Sequence, residues 1–291
     1  MSSARALSIE TDDGVTLAGE ESGSGQAIVL LHGLTATRRY VVMGSRALER
    51  SGHRVISYDA RAHGSSTAAR SPDQYGYEQL AGDLEAVLDA LAPGRVILAG
   101  ASMGAHTAIR LALAHPERVA ALGIITPAYD PSTRDGAGDG PGGMDALAQG
   151  LREGGVEGFV RAYDFSTVPP QWRETVETVM RQRLSAHEHP LALADAIEAV
   201  SRSRPFGALE ELSAIDVPVL VVGSRDEVDH GHPLALAERY AAAIPGAMLV
   251  VEEQGPPPRS PIAWQGGQLS KLLAELSAQA GSDAGASRAS T

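Results

Sequence analysis

A serine stands between two glycines, each two residues away, in Gly100-Ala101-Ser102-Met103-Gly104. An apolar run precedes this segment and a helical pattern follows it, so the serine lies where a strand passes directly into a helix. Such a sharp turn tolerates only small flanking residues and lifts the serine hydroxyl above the edge of the sheet. The pattern predicts a nucleophile at Ser102, and the alternative is an ordinary glycine-rich turn between a strand and a helix.

A nucleophilic serine needs N–H donors that stabilise the negative charge developing on the substrate oxygen. The N–H of Met103 is one expected donor, because free N–H groups point outward at a helix N-terminus. The second expected donor is the N–H of Leu34, in the loop after a strand that ends at Leu31-His32-Gly33-Leu34. We expect His32 to shape this turn rather than to transfer protons.

The elements that must position these groups follow an alternating pattern of apolar strands and amphipathic helices. This alternation predicts an α/β fold with a doubly wound, mostly parallel sheet and helices on both faces. An N-terminal hairpin is expected around Asp12-Asp13-Gly14. The alternation lapses between 130 and 208, which predicts a helical lid inserted into a core formed by 1–129 and 209–280. The small polar residues of 281–291 predict a disordered tail.

Composition excludes several classes of partner and chemistry. The formal net charge of -12 would repel nucleic acid and anionic lipid surfaces, and no stretch has the length and apolarity of a membrane span. The chain has no cysteine, which excludes disulfides, a thiol nucleophile and thiolate metal ligands. We expect a cytoplasmic protein that acts on a small molecule and needs no cofactor and no metal.

Three segments, in order and spacing, resemble the α/β-hydrolase superfamily, and the resemblance covers about residues 5–280. They are His32-Gly33, Tyr58-Asp59-Ala60-Arg61-Ala62-His63-Gly64-Ser65-Ser66 and Gly100-Ala101-Ser102-Met103-Gly104. In that family the second segment is a structural loop, which implies packing and hydrogen-bonding roles for Asp59, Arg61 and His63. The family usually has glycine where this chain has Ala62.

The resemblance also implies a catalytic acid after the strand that follows the lid. The segment VPVLVVGSRDEVD offers Asp226, three residues beyond Gly223, to orient and support a histidine base. Glu227 and Asp229 lie close by, so an adjacent carboxylate could take this role.

The family's general base is a histidine in the loop after the last strand, and this chain has none there. None of its nine histidines lies beyond His232. A serine hydroxyl without a base is a poor nucleophile at neutral pH. We rank His232 first as the replacement, because its loop also carries the acid, and His106 second, because it lies one helical turn beyond Ser102. A third outcome is that no histidine acts as the base.

Two further histidines, His187 and His189, lie in the lid sequence AHEHP and are interpreted as part of a solvated helix end. Their spacing is a weak indication of a metal site.

The resulting hypothesis is a serine hydrolase that acts on a carboxylic ester or a related small acyl compound. The alternative is a non-hydrolytic protein of the same fold, either a biosynthetic lyase or cyclase or a ligand-binding protein. Neither the substrate nor the oligomeric state follows from the sequence. Apolar lid residues either line a pocket or form the core of the lid; they are Leu147, Leu151, Phe159, Tyr163, Phe165 and Trp172.

Overall fold

Strands and helices alternate along the part of the chain that the computed structural model describes, which comprises residues 4–92, 94–133, 143–226, 228–253 and 264–289. The strands are β1 (Arg5–Glu10), β2 (Thr16–Gly23), β3 (Gln26–Leu31), β4 (His53–Tyr58), β5 (Val96–Ala101), β6 (Val119–Ile125), β7 (Val219–Gly223) and β8 (Met248–Val251). The α-helices are α1 (Ala47–Arg50), α2 (Tyr77–Leu91), α3 (Met103–Ala114), α4 (Met144–Ala162), α5 (Arg173–Leu184), α6 (Pro190–Arg202), α7 (Leu234–Ala243) and α8 (Gly266–Ala289).

The strands form one sheet in the order β1-β2-β4-β3-β5-β6-β7-β8. β1 and β2 form the predicted antiparallel hairpin, and β2 joins the sheet antiparallel to β4. From β4 to β8 every neighbouring pair is parallel. The carboxyl ends of β3, β5 and β7 therefore lie along one edge, so the loops that carry the predicted oxyanion donor, nucleophile and acid all leave from that edge.

Both faces of the sheet are covered, as the uninterrupted apolar strands predicted. Successive strand side chains point to opposite faces. In β5, for example, Leu98 belongs to a cluster that includes Ile109 of α3, whereas Ile97 belongs to a cluster that includes Leu273 of α8. All four side chains are fully buried or nearly so, with exposures between 0% and 1%. The doubly wound α/β class is confirmed.

Helices α4, α5 and α6 lie between β6 and β7 in the chain, where the alternation lapses. They pack around a cluster of their own that contains Leu147, Leu151 and Phe159. Those three side chains are therefore core rather than pocket wall, and Tyr163 packs against the same cluster. The segment also contacts the sheet region, since Val200 of α6 packs against Met103.

Two parts of the chain differ from the predicted pattern. The sequence of RRYVVMGSRALERSG has a helical pattern, which predicts a helix. In the structure it contains only a 3₁₀ turn at Arg38–Tyr40 and the short α1, because Gly44 between them takes a positive φ of 71°. The tail predicted to be disordered from residue 281 instead continues α8 to Ala289. None of the described helices combines the length and the apolarity that a membrane crossing requires.

Candidate active site

Ser102 occupies a strained turn between β5 and α3. Its backbone has φ 51° and ψ −116°, a conformation that a residue with a side chain rarely adopts, and strain of this kind costs about 1–3 kcal/mol. The turn is held by a 3.0 Å hydrogen bond from the Ser102 N–H to the Ile125 carbonyl at the end of β6. A strained backbone maintained by its surroundings is typical of functional positions.

The two glycines of the motif are required by close backbone contacts. A Cβ on Gly100 would lie 2.2 Å from the carbonyl carbon of Gly104, in the first turn of α3. A Cβ on Gly104 would lie 2.2 Å from the carbonyl oxygen of Leu31, at the end of β3. The absence of side chains at these positions lets α3 begin directly behind the serine and against the neighbouring strand.

The loop after β3 lies directly beside Ser102, because a Cβ built on Gly33 would be 3.5 Å from the serine Cβ. The next N–H, that of Leu34, has no acceptor in the described part of the chain, and Met103 begins α3, so its N–H has no acceptor within the helix. The two predicted oxyanion donors thus have free N–H groups. The loop is fixed by buried histidines, since His32 Nε2 accepts from the Ala60 N–H at 2.9 Å and His63 Nε2 lies 2.7 Å from the Leu34 carbonyl.

The loop after β7 pairs the predicted base with a different carboxylate from the expected one. His232 Nδ1 lies 2.7 Å from Asp229 Oδ1, three residues earlier in the chain. Asp226, the predicted partner, instead accepts the Val228 N–H at 2.9 Å and so closes a tight turn of its own loop. Among the described residues, the carboxylate that is hydrogen-bonded to His232 is therefore that of Asp229. The physical reason is the turn between 229 and 232, which is closed by a 3.3 Å bond from the His232 N–H to the Asp229 carbonyl.

The Asp229–His232 pair has a defined charge and tautomer. Desolvation of the Asp229 carboxyl by the surrounding protein raises its pKa. The hydrogen bond to His232 and the positive charges nearby outweigh this effect, so the pKa of Asp229 is lowered. An ionised carboxylate only accepts hydrogen bonds, so His232 Nδ1 must carry the proton that joins the pair. The lone pair of the neutral ring is then on Nε2, which is buried and has no hydrogen-bond partner among the described residues. The Ser102 hydroxyl likewise has no partner there.

Comparisons with known proteins address the family and the fold of the chain. The family model described as "alpha/beta hydrolase fold" matches residues 26–159. A protein of Variovorax paradoxus named as the carbamate hydrolase RutD is 30% identical over 204 residues, which cover 70% of this chain and 74% of the relative. The chain belongs to the α/β-hydrolase family.

Two further relatives extend the comparison over most of the chain. The 2-hydroxy-6-oxononadienedioate/2-hydroxy-6-oxononatrienedioate hydrolase of Burkholderia vietnamiensis is 30% identical over 79% of this chain and 81% of its own length. An esterase structure from Exiguobacterium antarcticum has the same fold, with a TM-score of 0.70, 24% identity, and coverage of 94% of this chain and 100% of that one. These relatives are named as hydrolases or as an esterase, which confirms the prediction that this chain is a hydrolase.

The place where an α/β-hydrolase usually holds its histidine follows β8. In this chain most of that loop, including Gln254 and Arg259, lies outside the described residues. Glu252, directly after β8, is described: its carboxylate accepts hydrogen bonds from the Arg225 N–H and from the Ser224 hydroxyl. The end of β8 is therefore tied to the loop that carries Asp229 and His232.

His106, the second-ranked candidate base, uses both ring nitrogens in hydrogen bonds to other parts of the protein. Its Nε2 accepts from the N–H groups of Ala128 and Tyr129, each at 3.2 Å, so the ring's lone pair is already used. Its Nδ1 then carries the proton and donates it to the Tyr77 hydroxyl at 3.1 Å. The ring is 1% exposed and joins α3 to α2 and to the loop after β6.

The family's structural loop after β4 has the packing role that the resemblance implied. Arg61 is buried and forms ion pairs with Asp83 at 2.6 Å and with Asp13 at 2.8 Å. Asp59 pairs with Arg38 and accepts the Ser65 N–H. Ala62, in place of the usual glycine, takes a positive φ of 65°, which explains why the family prefers glycine there.

His187 is buried rather than solvated. Its Nδ1 accepts the Gly64 N–H at 2.9 Å and its Nε2 lies 3.2 Å from the Thr35 carbonyl, so it fastens the loop after α5 to the loops after β3 and β4. Its sequence context did not predict this role, because its two hydrogen-bond partners, the Gly64 N–H and the Thr35 carbonyl, are more than 100 positions away in the chain. Among the described residues, no group of three or more His, Cys, Asp or Glu side chains could hold a metal ion.

From the sequence, Asp229 was considered only as an alternative to the neighbouring Asp226. Its spacing of three residues from His232 could have indicated that the two side chains meet. Arg183 of α5 was missed altogether. Arg183 Nη2 donates to the Thr35 hydroxyl at 3.1 Å, two residues beyond Gly33. Arginine is common near the end of helices, so the sequence gives no sign that this one reaches the site.

Proposed function

We propose that this chain is a serine hydrolase that acts on a carboxylic ester or a related small acyl substrate. In this proposal the Ser102 hydroxyl oxygen attacks the substrate carbonyl carbon while its proton passes to His232 Nε2. The N–H groups of Leu34 and Met103 stabilise the resulting oxyanion. Asp229 holds the His232 ring in the required tautomer and stabilises its positive charge.

The reaction then proceeds in two halves. When the tetrahedral intermediate collapses, the bond to the leaving alcohol breaks and His232 returns its proton to the leaving oxygen. Water next attacks the acyl-serine ester, with His232 again accepting a proton. The bond between the acyl carbon and the Ser102 oxygen then breaks, His232 returns its proton to that oxygen, and the carboxylic acid leaves. The cycle converts one ester and one water into an acid and an alcohol and needs no cofactor.

The observation that carries the proposal is the free Nε2 of a histidine whose other ring nitrogen is bonded to an ionised aspartate. This nitrogen is the acceptor that a serine nucleophile needs. The strained turn at Ser102 and the two free N–H groups beside it support the same chemistry. The relatives named as a carbamate hydrolase and a dienedioate hydrolase support reaction by hydrolysis.

We also propose that helices α4 to α6 form a lid over this site. The support is the packing of Leu34, which contacts both the lid cluster around Leu151 and the cluster that contains Met103. A substrate held beside the oxyanion donors would then lie beneath this segment. Its apolar surface favours small acyl or alcohol groups.

The experiment combines turnover of p-nitrophenyl acetate and butyrate with intact-mass detection of a fluorophosphonate adduct. We expect wild-type protein to hydrolyse the esters and to gain one adduct on Ser102. The Ser102→Ala variant is expected to lose both properties, while Ser65→Ala, which alters a nearby exposed serine, keeps both. Well-folded wild-type protein without labelling or turnover would overturn the proposal and favour a non-hydrolytic or ligand-binding role.

A further inference from the structure

Arg183 lies in an unusual environment at the end of α5. One guanidinium nitrogen donates to the Thr35 hydroxyl, and the guanidinium carbon lies 5.7 Å from the centre of the Tyr40 ring. Both partners are neutral. A third group of the side chain, the Nε–H, is buried and has no hydrogen-bond partner among the described residues.

The charge of Arg183 is not balanced by a contact. No carboxylate in the described part of the chain lies within 4.0 Å of its guanidinium, whereas the buried Arg61 has two such partners. Burial lowers the pKa of Arg183, and the more distant charge of Asp229 only partly offsets this effect. Burying an unpaired charge is costly, so such residues usually serve a ligand or a reaction.

The position of Arg183 relates it to the proposed active site. Thr35, to which it is bonded, follows the oxyanion donor Leu34 directly, and Gly33 of the same loop lies beside Ser102. The charges of Arg183 and Asp229 also influence each other, so the guanidinium lies near the Asp229–His232 pair as well as against the oxyanion loop. A substrate bound to Ser102 would pass close to it.

We propose that Arg183 binds a carboxylate group of the substrate, remote from the bond that is cleaved, and thereby selects acyl compounds that carry a negative charge. This inference rests on the proposed hydrolase function and names its substrate class. The planar guanidinium presents paired N–H groups that match the two oxygens of a carboxylate. Thr35 and Tyr40 hold the guanidinium in place without neutralising it.

The overall charge of the protein makes such a residue necessary for an anionic substrate. With a formal net charge of -12, the surface repels anions. Arg183, on helix α5 of the proposed lid, supplies a local positive charge beside the loop that carries Leu34. The Thr35 hydroxyl accepts from Arg183 and keeps its own proton, so it is free to donate to the same carboxylate.

The test compares charged and uncharged esters of matched length. The charged series is the mono-p-nitrophenyl esters of adipic, pimelic and suberic acids, and the uncharged partners are p-nitrophenyl esters of straight-chain acids with one more carbon. For wild-type protein we expect kcat/KM to favour at least one charged ester over its partner by about 10-fold or more, as for a hydrogen bond to a charged group. In Arg183→Gln this preference, measured as the ratio of the two kcat/KM values, should disappear.

The matched control is Arg181→Gln on the same helix. Arg181 is partly exposed and pairs with Glu157 and Glu177, so its loss should leave the preference intact. Circular dichroism and thermal unfolding confirm that each variant is folded. Equal kcat/KM for charged and uncharged esters across the series in wild type, or a preference that survives in Arg183→Gln, would overturn the inference.

A binding measurement separates this inference from the proposed function. Calorimetric titration of Ser102→Ala with adipate, pimelate and suberate, with and without Arg183→Gln, needs no turnover. If wild-type protein hydrolyses neither kind of ester, the proposed function fails, and the titration still decides the inference. Arg183-dependent binding of a dicarboxylate supports it, and equal or absent binding in both proteins overturns it.

Discussion

A serine hydroxyl becomes a strong nucleophile only when a nearby base accepts its proton, and here the candidate base is oriented by its own loop. His232 and Asp229 are three residues apart, so one turn places both halves of the pair. An α/β-hydrolase of the usual pattern brings its acid and base together from two different loops. In this chain the single loop after β7 carries both members of the proposed pair.

The first prediction distinguishes the two aspartates of that loop. Asp229→Asn should reduce kcat/KM for an uncharged ester by about 10²–10⁴-fold, because an amide can impose the wrong tautomer on His232 and no longer stabilises its positive charge. Asp226→Asn should remain close to wild type, since its amide oxygen can still accept the Val228 N–H. Steady-state kinetics of both variants provide the measurement, and a larger loss in Asp226→Asn would restore Asp226 as the acid.

At the scale of elements, the site depends on how closely α3 approaches β3 and β5. The apolar strands, their order in the chain and the nucleophile turn were predictable, because each leaves a local pattern of apolar residues and glycines. The pairing of His232 with Asp229 was not predictable with certainty, since it depends on the path of one irregular loop. Arg183 was missed and the solvated role expected of His187 was wrong, because their partners, Thr35 and Gly64, are distant in sequence.

The second prediction concerns the close approach of α3 to β3. Gly104→Ala should lower the free energy of unfolding by about 3 kcal/mol or more, because the new methyl group meets backbone atoms of Leu31 that cannot move aside. Gly82→Ala in α2 is the control: its Cβ would enter open space, and alanine should stabilise the helix by about 0.5–1 kcal/mol. Urea unfolding measures both, and equal stability of the two variants would contradict the close-packed turn.

At the scale of the whole molecule, buried neutral histidines connect stability to pH. Burial and the neighbouring His63 lower the pKa of His187 to about 3, well below its value in an unfolded chain. Burial also lowers the pKa values of His32 and His63. Between about pH 6.5 and pH 3 the unfolded chain binds protons that the folded protein does not, so acid favours unfolding.

The third prediction follows from this difference in proton binding. The free energy of unfolding should fall as pH decreases from 6.5 towards 4, and His187 should contribute up to about 1.4 kcal/mol per pH unit. In His187→Gln this dependence should be shallower by about one bound proton, whatever the variant's stability at neutral pH. His189→Gln, a partly exposed histidine two residues away, is the control. Urea unfolding at several pH values measures the slopes, and the same change in both variants would contradict the buried role of His187.

The central claim is that His232 is the base that activates Ser102, and chemical rescue tests it most directly. The measurement is the rate of fluorophosphonate labelling and of p-nitrophenyl butyrate hydrolysis by His232→Gly, with and without added imidazole. We predict a loss of about 10²–10⁴-fold, as expected for removal of a general base, and partial recovery when imidazole occupies the space left by the ring. Labelling and turnover by His232→Gly at wild-type rates without imidazole would contradict the claim and assign activation of Ser102 to another group.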